Sequence, residues 1–193
     1  MQVPDFSLVV TVKNRRDHFL KTFSSMVTQL QPQKYELVFV DFDSNDDFEK
    51  LLRNTVVSHR ELFSKSLVKI KRVFLEFSCP FNSGKAKNLG SKFCDSKWIS
   101  FSDVDVFLGM GYHGSWMQVL ENCDSSFLST RVQETTEQKS KRVERNVNYG
   151  NMIVEKKHFT LDKNAQSRTE GAHQCSMDVK DLEDLRKFCD ASS

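Results

Sequence analysis

"WISFSDVDVFLG", residues 98 to 109, is the stretch on which the predicted fold and site depend. Apolar and β-forming residues lead to Asp103 and Asp105, two carboxylates one residue apart, and the stretch ends at Gly109. In an extended segment, residues i and i+2 point to the same side, so both carboxylates are expected to project together. Their mutual repulsion favours a bound cation between them, or a raised pKa.

Strands alternate with helices on both sides of this stretch. Apolar runs predict strands at 6–12, 35–40 and 67–77, in addition to the strand that leads to Asp103. The segments between them have apolar residues at helical spacing, or the Asp, Ser and Asn residues typical of turns and caps. This order predicts an α/β fold in which a mixed, mostly parallel sheet is flanked by helices.

The composition allows one domain and excludes some classes of protein. The 193 residues, 38% of them hydrophobic, suffice for a single domain over residues 1–193. A formal net charge of +2 gives no indication of nucleic-acid binding. No apolar run is long enough to span a membrane, and the N-terminus lacks signal-peptide features. The five scattered cysteines never form a CxxC pair, so we expect reduced thiols, a cytoplasmic location and no zinc site.

Polar residues follow three of the predicted strands. "KNR" follows the first, Asp41 the second, and Asp103 and Asp105 the fourth. Each is also an ordinary turn residue, but ligands of such sheets bind outside the carboxyl ends of the strands, where these residues converge. Paired carboxylates hold Mn²⁺ or Mg²⁺, which keep positions open for phosphate oxygens. Neither GxxxxGK[ST] nor GxGxxG follows the first strand, which argues against a P-loop NTPase and a dinucleotide-binding dehydrogenase.

Four ordered motifs carry a family resemblance. They are "VVTVKNRRDHFL", "VFVDFDSND", "FNSGKAKNLG" and "FSDVDV". Together they resemble the GT-A nucleotide-sugar glycosyltransferases, broadly family 2 and its relatives, with a pattern similar to that of the β-1,4-galactosyltransferases. The resemblance implies a GT-A (Rossmann-like) fold, with a nucleotide-binding half at about 1–109 and an acceptor and donor-sugar half at about 110–193.

The resemblance also implies roles for single residues. Asp105 is expected to be the principal metal ligand, Asp103 and Val104 to lie against the ribose and the metal, and Asp41 to contact uracil. The other implied nucleotide and sugar contacts are Val12, Lys13, Arg15, Phe81, Asn82, Gly150 and Asn151.

One position departs from the galactosyltransferase pattern, because Ser83 stands where that pattern has an arginine. A phosphate contact is therefore expected from Lys85. The alternative for Lys85, Lys87 and Lys92 is a solvated helix face, which suits Lys92 better than Lys85.

The catalytic base and the third metal ligand are implied less directly. Asp178 and Asp181 stand at about the distance where the family has its acidic run, with Glu170 as a further candidate. The segment lacks the family's tryptophans, and a surface helix with acidic residues near its N-terminus explains these carboxylates equally well. His173 or water is expected to complete the metal shell, although a lone histidine in a polar loop has no ligand role in most proteins.

The predicted function is Mn²⁺- or Mg²⁺-dependent transfer of a sugar from a UDP-sugar donor to a hydroxyl of a carbohydrate or glycoprotein acceptor. Inversion at the anomeric carbon is implied by the resemblance alone. One alternative is a nucleotidyltransferase, which ordinarily has a glycine-rich basic loop after its first strand. The other is a non-catalytic module that binds UDP or a partner through a basic loop. Its basic residues are Lys139, Lys141, Arg142 and Arg145.

Overall fold

A computed structural model describes residues 3–30, 32–76, 80–122, 127–129, 152–155 and 172–178 of the chain. Within these residues seven strands form one sheet: β1 (Phe6–Val12), β2 (Tyr35–Asp41), β3 (Leu67–Leu75), β4 (Trp98–Asp103), β5 (Phe127–Ser129), β6 (Met152–Glu155) and β7 (Ala172–Asp178). The helices are α1 (Arg16–Val27), α2 (Phe48–His59), α3 (Ser83–Ser91) and α4 (Tyr112–Asn122), and a 3₁₀ turn spans Arg60–Leu62. None of the helices in these ranges is long and apolar enough to cross a lipid bilayer.

The sheet has a parallel centre and antiparallel margins. Its strand order is β5-β6-β4-β1-β2-β3-β7, and β4, β1, β2 and β3 run parallel to one another. β6 pairs antiparallel with β4, β5 with β6, and β7 with β3. The predicted α/β class with a mixed, mostly parallel sheet is confirmed.

Different helices cover the two faces of the sheet. β1 and β2 are buried along their whole length, as expected of central parallel strands with helices on both sides. Residues of α1, α2 and α4 pack on the face that carries Leu8, Val10 and Leu37. Ala86 and Leu89 of α3 pack on the opposite face, against Val38 and its neighbours.

Gly90 lets α3 lie unusually close to the sheet. A β-carbon at this position would overlap the side chain of Val40 and come within 3.0 Å of the Val9 side chain. The side chain of Asn82 accepts a hydrogen bond from the backbone N–H of Lys85 and so begins the helix. α3 is therefore capped at its start and lies close to the sheet near its end, with its first turn at the carboxyl ends of the strands.

A buried ion pair lies on the α3 face near the amino ends of the strands. Glu36 of β2 has no exposed surface, Lys71 of β3 is 2% exposed, and their charged atoms lie 2.8 Å apart. Lys71 also donates to the carbonyl of Phe93, 2.7 Å away, and the backbone N–H of Asp95 donates to Glu36. The pair thus connects the sheet to the segment that leads from α3 into β4.

The sequence pattern does not predict strand β7. It lies along the outer edge of β3 and runs in the opposite direction, with Ala172 opposite Leu75 and Asp178 opposite Lys69. β7 consequently begins near the carboxyl ends of the parallel strands and ends near their amino ends.

Candidate functional site

The carboxyl ends of β1, β2 and β4 bring together residues predicted from separate motifs. Val12 is in register with Asp41, and Thr11 with Asp103. The loop after β1, the loop after β2, the turn after β4 and the first turn of α3 all meet at this end of the sheet. We call this region the carboxyl edge.

The loops after β1 and β2 are interlocked. The backbone N–H of Asn14 donates to the hydroxyl of Ser44 over 3.1 Å, and that of Asn45 donates to the side-chain oxygen of Asn14 over 2.9 Å. Lys13 donates to the carbonyl of Asp43 over 3.1 Å. Asn14 and Asp43 have positive φ angles of 52° and 54°, which non-glycine residues seldom adopt. Strained backbone held by neighbouring contacts is common at binding sites.

Asp41 is completely buried, and both of its carboxylate oxygens have protein partners. One oxygen accepts from the backbone N–H of Ser44 at 3.0 Å. The other accepts from Nε and Nη2 of Arg72 at 3.1 and 2.7 Å, and Arg72 also pairs with Glu49 at 2.8 Å. Asp41 therefore holds the turn after β2 in place. A contact between Asp41 and uracil would compete with Arg72 or Ser44 for these oxygens. That contact stays a prediction.

An exposed aromatic ring stands beside these loops. Phe81 is 44% exposed and packs edge-on against the buried ring of Phe42, with 5.5 Å between ring centroids. The ammonium of Lys13 lies 5.6 Å from the centre of the Phe42 ring. Val12 is buried, and its carbonyl accepts from the backbone N–H of Phe42. The structure thus brings together Val12, Lys13 and Phe81.

The remaining predicted nucleotide contacts flank this group. Arg15 is exposed and immediately precedes α1, while Asn82 caps the start of α3 and Lys85 lies in the first turn of that helix. The loop after β1 and the start of α3 therefore border the same edge.

The prediction that Asp103 and Asp105 project from the same side of an extended segment is wrong. β4 ends at Asp103, and the backbone N–H of Val106 donates to the carbonyl of Asp103 over 3.2 Å, so the chain turns at residues 104 and 105. The side chain of Val104 is buried, which draws the turn into the core. Asp103 remains half-buried and Asp105 is exposed, so the two carboxylates border one turn and do not share one face of a strand.

A polar stripe on α1 holds the turn and the segment that follows it. Thr22 donates to the carbonyl of Val104 over 2.6 Å, and Ser25 accepts from the backbone N–H of Leu108 over 3.2 Å. Gln29, just past the helix, donates to the carbonyl of Gly109 over 3.1 Å. Sequence reasoning missed these positioning residues. The available signal was their spacing of three and four residues beside the apolar residues of the same helix.

Lys87 pairs with Asp103, which the sequence did not indicate. Its Nζ lies 3.0 Å from Oδ1 of Asp103, and the hydroxyl of Thr11 donates to the same oxygen over 3.2 Å. The side chains of Lys87 and Asp103 are 26% and 47% exposed, so water partly screens the pair. The solvated helix face, which was the alternative for the lysines of α3, therefore does not describe Lys87.

The residues of the turn fit a divalent cation that is bound together with a substrate. No group of three or more His, Cys, Asp or Glu side chains that could hold a metal occurs within the described ranges. Asp103 and Asp105 offer two carboxylates, and Mg²⁺ is commonly held by one or two carboxylates plus substrate phosphates and water. This donor chemistry suits a cation completed by phosphate and does not suit a closed structural metal site.

The structure does not bring His173 or Asp178 to the turn after β4. His173 is in register with Phe74, near the carboxyl end of β3, and β7 lies at the opposite margin of the parallel strands from β4. Four inter-strand spacings of about 4.8 Å separate β7 from β4, or roughly 19 Å. Asp178 is opposite Lys69 at the amino edge, which argues against its assignment as the catalytic base.

Several predicted positions lie outside the described residues. They are Gly150, Asn151, Glu170, Asp181 and the basic residues Lys139, Lys141, Arg142 and Arg145.

Comparison with known families and structures agrees with this architecture. The sequence profile described as "Glycosyl transferase family 2" matches residues 7–185. A search of curated protein sequences finds no match.

Two solved structures illustrate the similarity in fold. TarS of S. aureus in complex with UDP-GlcNAc has a TM-score of 0.58 at 18% identity, over 73% of this chain and 37% of that chain. The mannosyltransferase PcManGT of Pyrobaculum calidifontis, in complex with GDP-Man and Mn²⁺, has a TM-score of 0.58 at 16% identity, over 89% of this chain and 48% of that chain. The chain thus spans less than half the length of either structure, and the likeness establishes the GT-A fold.

Proposed function

The chain belongs to glycosyl transferase family 2, and on that premise we propose that it transfers a sugar from a nucleoside diphosphate sugar to a hydroxyl acceptor. The observation that carries this proposal is the carboxyl edge itself. Two carboxylates on one turn, Asp103 and Asp105, stand at the same edge as Lys13, Lys87 and the exposed ring of Phe81. Such a set suits the binding of a base, a diphosphate and a divalent cation.

The proposed donor is a UDP-sugar, and the proposed cation is Mn²⁺ or Mg²⁺. TarS is described with UDP-GlcNAc, and PcManGT with GDP-Man and Mn²⁺, so both kinds of donor occur among proteins of similar fold. The preference for uridine rests on Asp41, whose predicted role is contact with uracil. Asp105 and Asp103 would hold the cation, which neutralises negative charge as the diphosphate departs.

The chain's own residues have separate proposed tasks around the donor. Phe81 packs against the base, while Lys13, Arg15 and Lys85 approach the phosphates as positive charges. The turn at Val104 lies against the ribose, and Thr22 keeps that turn in place through its bond to the Val104 carbonyl. Asn82 begins the helix that presents Lys85. Gly150 and Asn151 are proposed to line the donor sugar.

The acceptor is proposed to be a hydroxyl of a carbohydrate or glycoprotein. A carboxylate within hydrogen-bond reach would take the proton of that hydroxyl during in-line attack, which inverts the anomeric carbon. Asp181 and Glu170 are the proposed bases. Asp178 is not retained, because its backbone lies at the amino edge of the sheet.

The proposed function predicts metal-dependent turnover of a nucleotide sugar. In a panel of UDP- and GDP-sugars, we expect at least one UDP-sugar to release UDP in the presence of Mn²⁺, and faster when a sugar acceptor is added. EDTA should stop the release, and excess Mn²⁺ should restore it, because the cation stabilises the departing diphosphate.

The same assay separates the alternatives. If the protein binds UDP but releases UDP from none of the donors, the alternative of a non-catalytic binding module replaces the proposed transferase. Release that is unaffected by EDTA would remove the metal from the proposal, and release from GDP-sugars alone would remove the preference for uridine.

A further inference from the structure

We infer that Lys87 and the divalent cation compete for Asp103, and that Lys87 couples binding of the cation to binding of the diphosphate. This inference rests on the proposed function, because it assigns a task to a residue of the same site. Lys87 would be a positioning residue that keeps Asp103 neutralised until donor and cation arrive together.

The competition follows from the geometry at one oxygen. The ammonium of Lys87 lies 3.0 Å from Oδ1 of Asp103, and the hydroxyl of Thr11 donates to that oxygen as well. Mg²⁺ binds oxygen ligands at about 2.0–2.1 Å. A cation on Asp103 would then stand within a few ångströms of the ammonium, and the two positive charges repel each other. Binding of the cation at that oxygen therefore requires Lys87 to move away.

The position of α3 decides where the displaced ammonium can go. At Gly90 the backbone of α3 lies so close to the sheet that a β-carbon would overlap Val40. Ala86 and Leu89 of the same helix are buried against this face, so we expect the helix backbone to stay in place. Lys87 has a long, flexible side chain that is 26% exposed, and its ammonium can swing toward solvent while its Cα stays at the carboxyl edge. A diphosphate bound at that edge offers the ammonium a new anionic partner. Without a diphosphate, Lys87 loses its ion pair and gains only water.

A thermodynamic cycle tests this coupling without any assay of activity. Mn²⁺ affinity is measured by calorimetry, with and without UDP, for the wild-type protein and for Lys87→Met. We expect Mn²⁺ alone to bind Lys87→Met about tenfold more tightly than the wild type. We also expect the factor by which UDP strengthens Mn²⁺ binding to shrink about tenfold, within the usual range of coupling between two ligands.

Two further variants serve as controls. Lys87→Arg keeps the positive charge and is expected to retain most of the coupling. Lys92→Met removes a lysine at the other end of α3 and is expected to match the wild type. Thermal unfolding of each variant establishes that it is folded before titration.

Mn²⁺ affinity in Lys87→Met that equals or falls below the wild-type value would overturn the inference, as would the absence of Mn²⁺ binding to both proteins at millimolar concentration. A wild-type protein that binds Mn²⁺ but no UDP would count against the proposed function instead. In that case tighter binding of Mn²⁺ alone to Lys87→Met would still establish the competition.

Discussion

Replacing Asp105 with asparagine is expected to lower sugar transfer by about a thousandfold or more, while the protein stays folded. A bound divalent cation contributes several kcal/mol of charge stabilisation in the transition state, and its principal proposed ligand would be lost. Asp105 is exposed on the turn after β4, whereas the turn itself is held by Thr22 and by the buried side chain of Val104. Asparagine has nearly the same shape as aspartate, so the fold should tolerate the change.

The measurement is the initial rate of transfer together with the affinity for UDP in Mn²⁺. Glu61→Ala is a matched control, because Glu61 is an exposed acid in the 3₁₀ turn that pairs with its neighbour Arg60. The control should retain wild-type transfer and affinity. Transfer by Asp105→Asn within tenfold of the wild type would contradict the proposed role of Asp105.

Replacing Lys71 with methionine is expected to lower the free energy of unfolding by about 3–5 kcal/mol, the usual cost of breaking a buried ion pair. Methionine fills nearly the same space but leaves the fully buried Glu36 without its cation. It also removes the donor to the Phe93 carbonyl. The cost is large because a buried charge has no water to replace its lost partner.

Urea denaturation measures this loss, and Lys69→Met is its control. Lys69 stands two residues earlier on β3 and pairs with Asp95, whose side chain is 46% exposed, so its removal should cost about 1 kcal/mol or less. In the double variant Glu36→Leu with Lys71→Met, no unpaired charge remains, and much of the lost stability should return. A cost for Lys71→Met no greater than that for Lys69→Met would contradict the importance of the buried pair.

Asp95 illustrates how the network near Lys71 affects a surface group. Partial burial alone would raise the pKa of its carboxyl. The hydrogen bonds and charges of Lys69 and Lys71 outweigh that effect and hold the pKa below its ordinary value. Asp95 therefore stays ionised beside the two lysines at neutral pH.

The central part of the fold could be predicted because its signals are local. Continuous apolar runs such as "FSLVVTV" are typical of strands covered on both faces, and the helical spacing between them implies parallel connections. Once the strands are parallel, their carboxyl ends must meet, so residues as far apart as Lys13, Asp41 and Asp103 could be assigned to one edge.

The contacts that refine the site could not be predicted, because they join residues far apart in sequence. Thr22 reaches Val104 across 82 positions and thereby bends the segment that was expected to be extended. Arg72 reaches Asp41 across 31 positions and occupies one oxygen of the carboxylate that was predicted to contact uracil. Nothing in the local pattern around Lys87 distinguishes a partner of Asp103 from a solvated lysine.

A crystal structure of the protein with UDP and Mn²⁺ would show directly whether the carboxyl edge binds a nucleotide and a divalent cation. We expect the diphosphate and Mn²⁺ to lie at Asp103 and Asp105, with the uracil beside Phe81 and with Lys87 moved away from Asp103. The same crystal structure would determine whether Asp41 leaves Arg72 to contact the base. UDP bound away from the carboxyl edge would contradict the proposed site. UDP bound at that edge with no cation on either Asp103 or Asp105 would contradict the proposed role of the metal.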